Sequence, residues 1–133
     1  MEKVFVYGTL KRGYSNNYLL QSSECLGYAT TKDRYAMYSS GIPYVTEQLP
    51  ITNIVGEVYN VNRRVLKNLD MLEGHPRWYK RKQITVLQLD GELDDVWIYF
   101  NEQIPHSAKV IESGVYSLSD TQWRNLLWQK KEA

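Results

Sequence analysis

Short strand-like runs separated by turn residues recur along most of this chain, and that rhythm restricts the available folds more than any other feature. Lys3 to Tyr7 alternates, with Val4 and Val6 on one face and Phe5 and Tyr7 on the other. Further runs follow at Gly27 to Thr31, Arg34 to Tyr38, Asn53 to Val61, Arg81 to Leu89 and Val96 to Phe100. Asp90-Gly91, between the last two, is a hairpin signal, although the connection to Val96 is longer than a two-residue turn. Many short strands with few helices predict an α+β chain built on a closed or nearly closed mixed sheet.

Three segments read as helices. Asn16 to Gln21 is short and weak. The second is strong: Asn62 can cap it, and Val65, Leu66, Leu69 and Leu72 form an apolar face. Gly74 ends it and Pro76 follows. The third begins at Ser119, with Gln122 completing a capping box and Trp123, Leu126 and Leu127 as its apolar side. No repeat, low-complexity tract or linker interrupts the chain, so one domain over residues 1–133 is expected.

The charge balance narrows the function classes. With 16 basic and 15 acidic side chains, the chain has no field to draw it to nucleic acid or an anionic membrane. The clusters Lys11-Arg12, Arg63-Arg64 and Lys80-Arg81-Lys82 read as solvated faces. No apolar stretch approaches membrane-spanning length, and Met1-Glu2-Lys3 runs straight into a strand rather than a signal peptide. A soluble, cytoplasmic protein is the expectation. The single cysteine, Cys25, cannot form an internal disulfide and reads as a small core residue. Neither His75 nor His106 has a partner at metal-ligand spacing. Gly8 followed by Lys11, Arg12 and Gly13 lacks the spacing of a phosphate loop.

Glu73 is the residue most in need of a reason. It follows Leu66 by seven positions and Leu69 by four, which puts it on the apolar face of the second helix. It also sits in the last turn, where the helix dipole typically disfavours a carboxylate by about 0.3–1 kcal/mol. Burial would disfavour the charged form further. A general base tuned toward neutral pH accounts for both penalties. Spacing alone also allows a plainer reading, in which a fraying helix end lets the side chain turn to water. Glu57 alternates with Val55 and Tyr59 and is a second candidate inward carboxylate, with pairing or exposure as the alternatives.

Two blocks then match a known pattern. Val4-Phe5-Val6-Tyr7-Gly8-Thr9-Leu10-Lys11-Arg12-Gly13 resembles the N-terminal signature of the γ-glutamyl cyclotransferase-like superfamily, with the γ-glutamylamine cyclotransferases as the branch it most resembles. Gly56-Glu57-Val58-Tyr59, then Leu69-Asp70, Glu73, Pro76 and Tyr79 resemble its second block, in the right order and at the right distance. The resemblance implies a small mixed β-barrel flanked by a few helices, and a pocket between the Tyr-Gly-Thr-Leu turn and a catalytic glutamate. It makes Glu73 the proton-transferring acid/base, and Tyr7, Gly8, Thr9 and Leu10 the substrate-binding turn. Tyr79 borders the pocket in this reading, with plain packing as the alternative.

The implied reaction converts a γ-glutamyl amine, such as the ε-amine adduct of lysine, to 5-oxoproline and free amine. It calls for no metal and no organic cofactor, and for no partner beyond the small-molecule substrate. The strand then stops at Gly8 so that main-chain N–H groups face a substrate oxygen, with glycine supplying close approach and unusual dihedrals. Trp78 and Trp97 are candidates for the leaving-amine side. The family's glycine/proline loop is matched to residues 39–44, and the last third of the chain resembles the family only loosely. A non-catalytic binding module on the same scaffold is the alternative function. It leaves a disfavoured carboxylate at Glu73 without a purpose.

Overall fold

In the computed structural model, which describes residues 1–117, the alternation of the first strand is realised with both of its faces buried. Strand β1 (Glu2–Val6) sends Phe5, followed by Tyr7, into a cluster with Met37, Val58, Val86 and Ile98. Val4 and Val6 enter a second cluster with Leu66, Leu69 and Tyr99. A strand buried on both sides is a continuous apolar run, and residues 4–7 are one.

After β1 a short 3-10 helix (Asn17–Leu20) occupies the expected weak helical segment. Then come β2 (Glu24–Thr31), β3 (Ala36–Ser40), β4 (Ile42–Thr46), β5 (Val55–Val61), helix α1 (Arg63–Glu73), β6 (Lys80–Gln88), β7 (Leu93–Phe100) and β8 (Lys109–Val110). Five strands close into a barrel in the order β1-β5-β2-β6-β7. All of its neighbours are antiparallel except β1 and β7, which close the ring in parallel at Val4 and Trp97. The mixed barrel expected from the sequence is therefore present. Hairpin β6–β7 turns over Gly91, as Asp90-Gly91 signalled, and β7 begins three residues earlier than Val96.

A second, three-stranded sheet has the order β4-β3-β8. Its β3–β4 hairpin turns at Gly41, in a segment expected to be a loop. Pro43 disguises β4 as a loop because proline cannot donate to a ladder. The strand lies at a sheet edge, where that missing donor does no harm.

Helix α1 forms as its sequence signals require. The Asn62 side chain accepts from the Val65 N–H at 2.9 Å, which satisfies one of the orphan donors of the first turn. Val65, Leu66 and Leu69 are buried against the barrel's outer face, each stabilising by about 1.5–3 kcal/mol. Gly74 closes the helix at φ 63°, ψ 33°, a left-handed conformation open to glycine without a Cβ penalty. The helix expected from Ser119, through Gln122, Trp123, Leu126 and Leu127, lies outside the described residues. No helix among the described residues is long and apolar enough to cross a membrane.

Candidate active site

The end of α1 is locked rather than frayed. The Gly74 N–H donates to the Asp70 and Met71 carbonyls, and the His75 N–H donates to Asp70 at 2.9 Å. The Tyr79 N–H returns to the Glu73 carbonyl at 3.0 Å. Glu73 is thus held at the helix terminus with its side chain partly buried. It lines a cavity of about 150 Å³ together with Gly8, Thr9, Leu10 and Tyr79. This is the face predicted by its spacing from Leu66 and Leu69. No hydrogen bond or ion pair reaches its carboxylate among the described residues. Burial pushes its pKa up to about 7. Tyr79, Tyr99 and Tyr7 stand around it. Burial first, and the Glu73 charge with it, hold the Tyr79 hydroxyl well above its usual range. A carboxyl group poised near neutrality can accept a proton and return it within one cycle.

Across the cavity, the residues after β1 form a turn closed by the Lys11 N–H on the Gly8 carbonyl at 3.0 Å. The carbonyls here are taken. That of Thr9 accepts from the Asn16 N–H at 2.9 Å, and that of Leu10 from Asn17 Nδ2 at 2.9 Å. Asn16 Nδ2 holds the Thr9 hydroxyl at 2.8 Å, so Asn16 uses its side chain on the turn instead of capping the 3-10 helix. The N–H groups of Gly8, Thr9 and Leu10, by contrast, donate to nothing among the described residues. Gly8 and Leu10 are buried, and a buried amide without a partner is costly. Consecutive amides left over beside a cavity suit an oxyanion or a carboxylate.

Gly8 is required for a reason other than unusual dihedrals. It does not adopt a positive φ. A Cβ built on it would lie 2.6 Å from Cγ of Pro43, so the glycine admits the proline ring rather than a left-handed backbone. Pro43 is also one of the cavity-lining residues that the sequence did not single out, as are Asn16, Ile42 and Tyr99. Pro43 and Ile42 were hidden in the supposed loop, and the alternation of β7 gave no preference for Tyr99.

The two tyrosines expected at the substrate line the cavity with their hydroxyls already engaged. Tyr7 donates to the Tyr99 carbonyl at 2.6 Å, and Tyr79 to the Pro43 carbonyl at 2.8 Å. Tyr79 also stacks on Tyr44 with ring centres 5.8 Å apart. Trp78 lines the cavity and is 44% exposed. Trp97 does not: it lies beneath the Arg81 guanidinium, 4.3 Å away, and its indole N–H donates to Glu2 at 3.0 Å. His75 is a loop residue whose Nδ1 accepts the Arg81 N–H at 3.1 Å. Among the described residues no group of three His, Cys, Asp or Glu side chains is gathered as a metal site.

Glu73 and the residues Gly8 to Leu10, drawn from the two separate sequence blocks, line one cavity. The family model described as gamma-glutamyl cyclotransferase, AIG2-like, matches residues 4–123. The chain belongs to that family. A Methanocaldococcus jannaschii protein, named provisionally as a gamma-glutamylcyclotransferase, is 45% identical over 118 residues, covering 87% of this chain and 96% of its own. The gamma-glutamylaminecyclotransferase of Rattus norvegicus is 36% identical over 103 residues, covering 68% of each chain. Among solved structures, the crystal structure of an AIG2-like protein from Mus musculus superposes with a TM-score of 0.75 at 26% identity, covering 90% of this chain and 97% of that one. The barrel with its one described α-helix is thus the AIG2-like gamma-glutamyl cyclotransferase fold.

Proposed function

We propose that this protein cyclises a γ-glutamyl amine to 5-oxoproline and releases the free amine, with Glu73 as the acid/base. Membership of the gamma-glutamyl cyclotransferase family supports the reaction class. The observation that carries the mechanism is the shared cavity: Glu73, its carboxyl pushed up to about 7 by burial, lines it with Gly8, Thr9 and Leu10, whose amides have no partner among the described residues.

The chemistry follows from that pairing. The substrate's α-ammonium is not a nucleophile until it loses a proton, and the Glu73 carboxylate takes it. The α-amine then attacks the γ-carbonyl carbon and closes a five-membered ring. Holding the two ends of one glutamyl group in attack geometry can contribute about 7–11 kcal/mol. The tetrahedral intermediate carries its negative charge on the former carbonyl oxygen. Amides at Gly8 to Leu10 suit that oxygen or the α-carboxylate, and one oxyanion donor is typically worth about 2.7–4 kcal/mol. The protonated Glu73 gives its proton to the departing nitrogen as the C–N bond breaks. The ring nitrogen then loses its second proton, which the Glu73 carboxylate passes to the freed amine, so that 5-oxoproline leaves as a neutral lactam beside an ammonium ion. Tyr7 and Tyr79, with their hydroxyls engaged elsewhere, act as walls.

The test is 5-oxoproline release from a panel of γ-glutamyl amines whose amine parts are the ε-amine of lysine, small alkylamines and arylamines. Turnover of at least one is expected. Binding without release of 5-oxoproline from any of them would identify a non-catalytic binding module instead.

A further inference from the structure

Glu57 takes no part in the chemistry above, yet its side chain is a buried carboxylate, 5% exposed. Such a group needs hydrogen bonds to replace the water it has lost. Among the described residues its two bonds fall on one oxygen: Oε1 accepts the Arg12 N–H at 2.8 Å and the Tyr59 hydroxyl at 3.0 Å. The Tyr59 oxygen accepts from Asn17 Nδ2 at 3.1 Å, and that same nitrogen donates to the Leu10 carbonyl at 2.9 Å. A chain of four hydrogen bonds therefore runs from the Leu10 carbonyl through Asn17, Tyr59 and Glu57 to the Arg12 amide. It grips the turn on both sides of Lys11, immediately after the free amides of Gly8 to Leu10.

The anchor at the far end is stiff. Glu57 lies in the middle of β5, opposite Val6 of β1 on one side and Tyr28 of β2 on the other. It does not line the cavity that holds Glu73; it borders a separate small one with Arg12, Cys25, Gly27 and Tyr28. Lys11 adds a charge to the same arrangement. Its ammonium donates to the Tyr116 carbonyl at 2.6 Å, and the Glu57 charge works against the downward pull of burial on its pKa.

We propose that Glu57 is a positioning residue: through Arg12, Tyr59 and Asn17 it sets where the Gly8 to Leu10 amides stand at the cavity. The inference rests on the reading that those amides hold the substrate. What the turn needs from Glu57 is an acceptor at Oε1 and not a titrating group. Glutamine keeps that acceptor and leucine removes it.

The experiment compares full-length Glu57→Gln, Glu57→Leu and Tyr59→Phe by kinetics on γ-glutamyl-ε-lysine and by ¹⁵N-resolved amide exchange. Glu57→Gln is expected to keep kcat/KM within about 3-fold of the parent, whereas Glu57→Leu loses about 100-fold, a loss typical of misplaced catalytic groups. The acid limb of the pH profile stays where Glu73 sets it in every variant that turns over. Tyr59→Phe falls between the two and serves if Glu57→Leu fails to fold. In the spectra, the Gly8 to Leu10 amides shift and exchange faster in Glu57→Leu and in Tyr59→Phe, but not in Glu57→Gln. A glutamine variant as impaired as the leucine variant, or a leucine or phenylalanine variant with unchanged rates and amides, overturns the proposal. If the parent releases no 5-oxoproline, the functional reading fails by itself, and the amide spectra still decide whether Glu57 positions the turn.

Discussion

The Tyr79 amide donates to the Glu73 carbonyl at 3.0 Å, so the last residue of α1 is tied to the start of β6. The same tyrosine's hydroxyl reaches the Pro43 carbonyl at 2.8 Å, which links the carboxylate-bearing helix end to the hairpin that packs on Gly8. The two walls of the cavity are thus held in register by one residue, through its amide and its hydroxyl.

Replacing Glu73 by glutamine removes the proton carrier and leaves the shape. Turnover is expected to fall by about 10²–10⁴-fold, the usual worth of general acid–base catalysis. In the parent enzyme the acid limb of kcat/KM should bend near pH 7, because burial raises the Glu73 carboxyl to about 7. Steady-state release of 5-oxoproline between pH 5 and 9 checks both. A glutamine variant with normal kcat rejects the acid/base role.

The same substitution should stabilise the protein, and only at higher pH. The folded carboxyl titrates at about 7 against an ordinary value of 4.5, so between these the native state binds more protons than the unfolded chain. Stability from this group is full below pH 4.5 and is lost as pH rises through 7. Above that, carrying the buried charge costs up to about 3 kcal/mol, less for the water that the partly exposed side chain keeps. Glu73→Gln should therefore gain about 1–3 kcal/mol at pH 8, shrinking as pH falls toward 4.5, as read by denaturant unfolding. An equal gain at both ends of the range contradicts the titration argument.

Gly8→Ala should damage both fold and function. The new methyl falls 2.6 Å from Cγ of Pro43. Overpacking of this kind costs about 1–3 kcal/mol. The turn must move to relieve it, and kcat/KM should drop by about 100-fold as its amides shift. Pro43→Ala in the same chain removes the opposing atom and should restore part of the lost stability, which a double-mutant cycle measures directly.

Trp78 and Trp97 should separate cleanly. Trp78 is half-exposed on the cavity, whereas Trp97 is packed under Arg81 with its N–H engaged by Glu2. Trp78→Ala is expected to raise KM about 5–30-fold for amines with large apolar parts, an area effect of about 1–2 kcal/mol. Trp97→Phe should leave KM unchanged and lower thermal stability. Kinetics across alkylamine and arylamine substrates, with melting curves, distinguish the two.

Much of this was legible because several local signals agreed. Helix α1 had a cap at Asn62, an apolar face and a terminating glycine, and it forms between those marks. The faces of β1 followed from strict alternation. Glu73 betrayed itself by conflict: a carboxylate on an apolar helix face, at the dipole's unfavourable end. Other features depend on contacts distant in sequence, which no local pattern carries. Pro43 hid β4, because only the finished sheet shows that the strand lies at an edge. The demand for glycine at position 8 comes from a proline thirty-five residues later (43 − 8 = 35). Nothing local separates Trp78 from Trp97, or tells that the hydroxyls of Tyr7 and Tyr79 are satisfied inside the protein. Strand alternation left Glu57 inward, paired or solvated, with pairing or exposure the commoner case; it is inward and paired, because Arg12 and Tyr59 meet it.

The parallel seam between Val4 and Trp97 has a consequence for biosynthesis. The N-terminal strand is the first part of the barrel to leave the ribosome, but one of its two neighbours is the last barrel strand to be made. Contacts this distant along a chain close slowly. The nascent protein must shelter an apolar first strand until almost one hundred residues have emerged. Only then is the cavity shared by Gly8 and Glu73 complete, because Tyr99 of that last strand is one of its walls.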